Sequence, residues 1–569
     1  MTTIDTHPDD SVAAASAGGA TVPSFFTAAG DWATTTDHKK IGRLSTGFGM
    51  LVLLAAAIVA LLLDVERLGD PGAFIDTGAQ LQLIQMYRIG LVVGGIAPLA
   101  LGLAVAVVPL QLGARQIAFP RVALTGFYAW LGGTALVMVS LGLNGGAGGG
   151  DADMVDLFLT GLGLAILGLC ATAGSLGTTI LTTRAPGMTM RRMPVFAWSS
   201  LIGAIATLLV LPVLFGVLVY LYVDHRLGSQ ANFMGVEGIG AWIGWAFTVP
   251  TVIVFAIPAV GFAAEQFSVA FKTRQPMRGV LFAGIALIGV TAYAGATQQF
   301  VHDVTFDTSG ETFIRGAAPF VLFSGLPLLG VTVVLLLALV NAKDGARNNP
   351  SVRAPFVFGV LGLLLVGAGI AANFVEGITD LELVDPATNT ATSFEEGATL
   401  LVVYGAALAL LGGLVYWAPK LWGRLLADKQ VLPLALLGAL GTVLAGAPLI
   451  VAGFLDQIGG YPASQAEVDR IMTVADDADI WITLSLVGQG IMVLTLLAFA
   501  GLLLKPSDGR EVDANPYGGQ TVEWGTPSPA PDHNYDHVAT VASAEPLFAA
   551  RTADTADTDT AADTEGSAQ

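Results

Sequence analysis

The stretch GATLLVVYGAALALLGGLVYWA, residues 397–418, contains no charged side chain. A helix needs roughly 20 predominantly apolar residues to cross the hydrocarbon core of a bilayer, and this stretch is long enough. Backbone groups in lipid must satisfy their hydrogen bonds internally, so the stretch is predicted to be a transmembrane helix. Its many glycine and alanine residues predict close packing against other helices, because small side chains let membrane helices approach each other.

Apolar runs of the same kind recur on both sides of this stretch. The chain has 569 residues, of which 54% are hydrophobic and 12% charged, whereas about 25% is usual for a soluble domain. We therefore predict an all-α polytopic membrane protein with about twelve transmembrane helices. The predicted spans are 44–63, 84–110, 122–144, 154–181, 194–222, 238–264, 279–300, 316–341, 355–375, 397–418, 431–455 and 479–504.

Basic residues divide unequally between the two sides of this predicted bundle. The side that carries both termini holds 20 of the 25 Lys and Arg residues. The opposite loops hold Arg67, Arg226, Arg315 and Arg470, and the second span holds Arg88. Because short cytoplasmic loops are enriched in Lys and Arg, we expect both termini to be cytoplasmic and the protein to lie in the cell (plasma) membrane.

The polar segments complete the predicted domain organisation. Residues 1–33 are expected to be a disordered cytoplasmic tail, 34–505 the membrane domain, 506–550 a Pro-rich cytoplasmic extension, and 551–569 an acidic disordered tail. The formal net charge of −19 argues against a nucleic-acid partner. The single cysteine, Cys170, excludes an intrachain disulfide and a cysteine-based metal site.

Five polar segments carry a family resemblance. They are TTTDHKKIG (34–42), VPLQLGARQIAFPR (108–121), TTRAPGMTMRRMPVFAW (182–198), YWAPKLWGR (416–424) and NPYGGQTVEWGTPSPAPDHNYD (515–536). In this order, and beside the span count, the chain resembles subunit I of the haem-copper (cytochrome c) oxidase family, actinobacterial type. The resemblance implies a twelve-helix bundle, oxygen reduction with electrons from cytochrome c, proton pumping, and other respiratory oxidase subunits as partners. It also implies two haems and a copper ion held by six histidines on facing helices.

The histidines of this chain do not match that ligand set. The chain contains His7, His38, His225, His302, His533 and His537. Five of them fall in predicted tails or loops, and only His302, beside Asp303, borders a predicted span. Imidazole is the neutral nitrogen ligand that iron and copper require in these centres, so the sequence predicts no haem, no copper and no catalytic residue.

Alignment on the five segments shows what stands at the positions of the family's ligands. The haem and copper ligand positions hold Tyr87, Val249, Gln298, Gln299, Gly397 and Thr399. The proton-channel acids of the family correspond to Thr251 and Gln116, and its cross-linking tyrosine corresponds to Ile253. The arginine pair that holds haem propionates corresponds to residues 456–459, which contain no arginine.

Several polar residues near the spans have two interpretations each. Arg88 is either a functional charge within the membrane, or a residue that snorkels to the membrane border or meets a local partner. Gln82 and Gln85, on the same helix face as Arg88, and the pair Gln298 and Gln299, either line a vacated cavity or form interhelical hydrogen bonds. The basic residues of 38–40 and 191–192 are either membrane-border anchors or a docking surface for neighbouring subunits or anionic lipid.

The leading functional hypothesis is a subunit I homologue without redox centres, acting as a structural, assembly or regulatory subunit of a respiratory complex. One alternative is an active oxidase subunit I, which would need unusual ligands such as Tyr87 at nearly every position. The other is a transporter or small-molecule-binding membrane protein that uses the vacated cofactor cavities, since empty cavities of that size cost stability.

Overall fold

The computed structural model describes residues 30–69, 74–227, 236–293, 321–380, 392–462, 464–505, 511–538 and 540–550. The predicted disordered tails lie almost entirely outside these ranges. We number the bundle helices α1 to α12 in chain order. They are α1 His38–Leu68, α2 Thr77–Gln111, α3 Pro120–Gly142, α4 Ala152–Thr182, α5 Val195–Leu227, α6 Gly244–Phe271, α7 Arg278–Gly289, α8 Val321–Gly345, α9 Ala354–Asp380, α10 Ser393–Trp422, α11 Asp428–Gly453 and α12 Asp479–Leu504.

Within the described residues, eleven helices are long and apolar enough to span a membrane, and α7 is a shorter apolar helix. The predicted all-α polytopic membrane fold is confirmed. The predicted seventh span, 279–300, coincides with α7 in its first half, and its residues 294–300 lie outside the described residues. A complete seventh crossing therefore stays a prediction.

The two central helices of the bundle are α2 and α10. The most apolar stretch of each is wholly buried among the other helices. Small residues bring the surrounding helices close together: a Cβ atom on Gly168 of α4 would lie 2.3 Å from the backbone nitrogen of Trp130 on α3. Such contacts are the packing that the Gly- and Ala-rich composition predicts.

Two irregularities interrupt the central helices. A π-helical segment, Gly90–Ile96, lies inside α2, and Trp130 Nε1 of α3 donates to the Val93 carbonyl in it at 2.9 Å. In α6 a 3₁₀ turn, Gly244–Phe247, is followed by Thr248 in an extended conformation, and the α-helix begins at Val249. π-helical segments inside α-helices are frequent at functional sites, so the residues of α2 just before Gly90 are candidates for a functional site.

The C-terminal extension, residues 511–538 and 540–550, packs on one end of the bundle, which we call the extension face. Trp524 is 1% exposed there, and Ala530 N donates to the Lys420 carbonyl at the end of α10 at 3.0 Å. Segment 515–536 is rich in Pro and Gly, so it needs a surface to pack against in order to be ordered. That surface is the chain's own bundle. We call the opposite end of the bundle the far face.

Lys39 and His38 join the start of α1 to the extension. Lys39 Nζ donates to Asn534 Oδ1 at 2.9 Å and to the Pro531 carbonyl at 3.1 Å. Asn534 Nδ2 lies 2.8 Å from His38 Nε2 and donates to the Ala114 carbonyl at 2.8 Å. The prediction that these two residues simply anchor the chain at a membrane border is therefore wrong, because both are buried against their own C-terminal segment.

Candidate functional site

Arg88 lies near the far face in the middle of the bundle and is 2% exposed. Its Nη1 atom is 3.3 Å from Glu395 Oε2, and its Nη2 atom is 3.8 Å from Glu396 Oε2. Both glutamates are in the first turn of α10. The snorkelling interpretation of Arg88 is wrong, and the local partner is a pair of carboxylates. A charge at this depth needs such partners, because an unpaired buried charge is strongly unfavourable.

A second ion pair lies beside the first. Arg67 Nη1 and Asp64 Oδ1, both on α1, are 3.6 Å apart, and Ser485 Oγ of α12 donates to Asp64 Oδ2 at 3.3 Å. We call Asp64, Arg67, Arg88, Glu395 and Glu396 the far-face charge cluster. It joins α1, α2, α10 and, through Ser485, α12. Intramembrane ionisable residues in such a cluster are candidates for function.

Tyr87 and Thr399, two of the ligand positions, meet at this cluster. The Tyr87 ring centre lies 5.9 Å from Arg88 Cζ, and its buried hydroxyl has no hydrogen-bond partner among the described residues. Thr399 Oγ1 donates to Glu395 Oε1 at 2.7 Å. Nearby, Tyr404 Oη of α10 donates to Gln489 Oε1 of α12 at 2.7 Å. One ligand position on α2 and one on α10 therefore lie beside the same ion pair.

Gly397 does not point into the charge cluster. A Cβ atom at this position would lie 2.4 Å from the Gly446 carbonyl oxygen and 2.8 Å from Ile450 N, both on α11. Separations under 3.0 Å essentially never occur for real Cβ atoms. The α10–α11 contact therefore leaves no room for any side chain at Gly397.

Gln82 and Gln85 hold the outer loops of the far face over α2. Gln85 exchanges two hydrogen bonds with the backbone of Ala147, from Nε2 to the carbonyl at 2.6 Å and from Ala147 N to Oε1 at 3.0 Å. Gln82 Nε2 donates to Asn144 Oδ1 at 3.0 Å. Of the two interpretations, these bonds support structural contact, here between a helix and a loop.

Comparison with known proteins agrees with this architecture. The family described as Cytochrome C and Quinol oxidase polypeptide I matches residues 40–491. The chain belongs to this family. A protein named as a cytochrome c oxidase subunit 1-beta from Streptomyces avermitilis is 29% identical over 548 residues, which cover 91% of each chain. Cytochrome c oxidase subunit 1 of Corynebacterium glutamicum is 28% identical over 550 residues, which cover 90% of this chain and 88% of that protein.

The remaining ligand positions of this oxidase subunit I homologue lie elsewhere. Val249 is buried in the first turn of the α-helical part of α6, where Thr251 Oγ1 donates to the Trp245 carbonyl at 3.2 Å. Ile253 is buried one turn further along. Gln298, Gln299 and His302 lie outside the described residues, so neither of their interpretations is tested.

Gln457 stands where the family's propionate-binding arginines are expected. Its Nε2 donates to the Thr473 carbonyl at 3.1 Å and to the Ile471 carbonyl at 3.3 Å, and its Oε1 accepts from Ala475 N at 2.9 Å. In this subunit I homologue, the side chain therefore organises the loop between α11 and α12.

The site residues do not fit the imidazole ligand set of the family's haems. His38 and His225, which the sequence placed in loops, belong to the first turn of α1 and the last turn of α5. His38 bonds to the extension, and His225 Nδ1 lies 2.7 Å from Asp156 Oδ1. Both rings are therefore engaged at helix ends, away from Tyr87 and Thr399 on α2 and α10.

Sequence reasoning did not single out the two glutamates of the cluster. Glu395 and Glu396 immediately precede the apolar run of α10, and Arg88 is the one basic residue inside an apolar run. The sequence does carry a signal for this contact: an acidic pair at the border of one span and a lone arginine within another. Because buried charges need partners, this signal could have paired the glutamates with Arg88.

Proposed function

We propose that this chain is an oxidase subunit I homologue without haem and copper centres, and that it acts as a structural, assembly or regulatory component of a respiratory membrane complex. The observation that carries the proposal is the ion pair between Arg88 and Glu395. It connects α2 to α10 beside Tyr87 and Thr399, two positions at which the family resemblance implies haem or copper ligands.

The chemistry of these residues supports the proposal. The haems and copper of this family would be held by neutral imidazoles, whereas Thr399 is a hydrogen-bond donor to Glu395. Tyr87 offers a phenol beside a guanidinium group. Gly397 has no space for a ligand side chain, and Val249 has no donor atom. Several of the ligand positions thus differ from histidine at once, and a single histidine elsewhere would not restore the ligand set.

The structural role is supported by what the chain keeps. It belongs to the family along most of its length, and its extension docks on its own bundle. The docked extension accounts for much of the family-like sequence on the extension face without invoking another subunit. The part of the proposal that concerns other respiratory oxidase subunits therefore rests on family membership, and it needs its own test.

An absorption spectrum tests the absence of redox centres. The protein is purified from its native membrane in mild detergent, and spectra are recorded after oxidation and after reduction, with metal analysis of the same sample. We expect no stoichiometric Soret band and no stoichiometric copper. A Soret band with reduced-state α bands would favour the active oxidase instead.

Co-purification tests the assembly role. Tagged protein is isolated under mild detergent from native membranes, and the retained proteins are identified by mass spectrometry. We expect other respiratory oxidase subunits in near-stoichiometric amount, and they should disappear at a detergent strength that leaves this chain folded. Isolation of the chain alone under the mildest condition would refute the assembly role and leave the spectral result standing.

A further inference from the structure

Two buried carboxyl groups face each other across the seam between the bundle and the extension. Glu265 of α6 is 4% exposed and Glu523 of the extension is 0% exposed. Gln111, at the end of α2, lies between them. Its Nε2 atom donates to Glu265 Oε1 at 3.0 Å and to Glu523 Oε1 at 3.3 Å.

No described residue forms an ion pair with either carboxyl group. Arg278 pairs with Glu545 at 2.6 Å. Lys420 Nζ donates to the carbonyls of Thr526 and Pro527. Two carboxylates so close together in a buried site repel each other, and each also pays the cost of leaving water. The pair is therefore expected to carry fewer than two negative charges.

The hydrogen bonds of the pair leave acceptor atoms open. Glu523 Oε1 accepts from Trp417 Nε1 at 3.2 Å and from Thr521 Oγ1 at 2.8 Å, in addition to the Gln111 amide. Glu523 Oε2 and Gln111 Oε1 are buried without a hydrogen-bond partner among the described residues. A proton on the carboxyl pair would supply the donor that these oxygens lack.

A small pocket borders the pair. It lies between the bundle and the extension, opens partly to solvent, and has about 10 Å³ of space for water. Its lining includes Glu265, Arg278, Gln520, Thr521 and Glu545. Glu265 therefore borders a solvent-facing pocket with room for about one water molecule, which can exchange protons with the pair.

We propose that Glu265 and Glu523 form a shared proton-binding site that fastens the C-terminal extension to the bundle. In the docked state the pair holds one proton, on Glu265 or Glu523, and the Gln111 amide lies between the two carboxyl groups. When the extension lifts off, Glu523 enters water and the pair is separated, so that proton is released at neutral pH.

The direction of the pH dependence follows from burial. Burial raises the pKa of the Glu523 carboxyl above its ordinary value in the docked state. At a pH between the ordinary pKa of Glu523 and its raised pKa in the docked state, the docked state binds more protons than the lifted state. Docking therefore weakens as the pH rises through that range. One linked proton changes the docking equilibrium by at most about tenfold per pH unit.

Other charged groups also face this seam and need to be separated from the pair. Lys420 and Arg278 act electrostatically on Glu523 and Glu265, respectively. The remaining titratable neighbours are Tyr416, Tyr535, Glu545 and, further along the seam, His38. A variant of the pair distinguishes its contribution, because these other groups stay in place.

Hydrogen exchange of the full-length protein in lipid nanodiscs tests the site. Protection of residues 511–550 is measured across the pH range and corrected for the intrinsic exchange rate. We expect wild-type protection to fall as pH rises. Glu523→Gln keeps the size of the side chain and its Oε1 acceptor without a titrating group, so its protection should change less with pH than that of the wild type.

Two further variants make the result decisive. Glu545→Gln also neutralises a carboxyl of the extension, but it breaks the ion pair with Arg278, so it should lower protection at every pH and keep the wild-type slope. If the extension of Glu523→Gln fails to dock, Glu265→Gln is the variant to measure, because it leaves the extension unchanged. A weaker pH dependence of protection in Glu265→Gln supports the site. The proposal would be overturned if protection in Glu523→Gln and Glu265→Gln changed with pH as steeply as in the wild type. It would also be overturned if protection depended on the potassium salt concentration of the buffer and not on pH.

Discussion

Arg88 and Glu395 form an ion pair, with Nη1 3.3 Å from Oε2, that connects the two most buried helices of the bundle. Both partners come from positions next to predicted ligand sites: Arg88 follows Tyr87, and Glu395 bonds to Thr399. The contact lies between α2 and α10, beside positions at which the family resemblance implies cofactor ligands. Its contribution to stability can be measured directly.

Arg88→Met should destabilise the protein strongly. The methionine fills much of the arginine volume but leaves Glu395 and Glu396 without their cation. Breaking a buried pair by removal of one partner costs roughly 3–5 kcal/mol. The measurement is the loss of folded fraction in a thermal or denaturant series in detergent.

Arg226→Met is the matched control. Arg226 also pairs with two carboxylates, Asp153 and Asp156, but its side chain is 54% exposed. Exposed pairs are screened by water, so the loss should be much smaller than for Arg88→Met. Equal losses in the two variants would show that Arg88 is not the structural connection described here.

Gly397→Ala should disturb the contact between α10 and α11. The added Cβ atom would lie 2.4 Å from the Gly446 carbonyl, so the helices must separate. Overpacking of this kind typically costs about 1–3 kcal/mol. Gly216→Ala on α5 has nothing within 4 Å of the new atom and should be neutral or slightly stabilising. A neutral Gly397→Ala would mean that α11 adapts and that a ligand side chain is sterically possible.

Asn534→Ala should loosen the extension without unfolding the bundle. The change removes the bonds that Asn534 makes with His38, Lys39 and the Ala114 carbonyl. Loss of buried hydrogen bonds of this kind costs about 1–3 kcal/mol, which corresponds to roughly 5- to 150-fold faster exchange of residues 511–538. His533→Ala, at an exposed neighbouring position, should leave the exchange rate unchanged.

Both termini should lie in the cytoplasm. The expectation rests on the division of Lys and Arg, with 20 of the 25 on the side of the termini. A reporter active only in the cytoplasm is fused after Lys505, and one active only outside is inserted at Asp385, which lies outside the described residues. Activity of either reporter on the wrong side would contradict the predicted orientation.

The fold was largely predictable because each span satisfies its backbone internally and therefore leaves a local apolar run. The run at 397–418, for example, lies within α10. Helix ends were less predictable: α1 begins at His38, six residues before its predicted apolar run, because polar helical turns continue past the hydrocarbon. The partners of Arg88 were also less predictable. Its position inside an apolar run is evident from the sequence, but Glu395 and Glu396 are about 300 residues away along the chain.

The docked extension was the main feature that the sequence did not predict. Residues 515–536 are rich in Pro and Gly and have no helical apolar pattern, so local reasoning indicates a segment that needs an external surface. Tyr517, Trp524 and Tyr535 are the aromatic residues that could have suggested packing, and all three are buried. What they pack against is set by contacts such as His38–Asn534, which are 496 residues apart and leave no local signal.

The contact between His38 and Asn534 also sets an order of events during synthesis. The first span leaves the ribosome long before Asn534 exists, so its polar end must wait, hydrated, while every later span is inserted. Closure of this seam is then a late step, possible only after Asn534 has been synthesised. A chain shortened by a premature stop codon would lack this seam, and His38 and Lys39 would keep only their contacts with Val105 and Asp37.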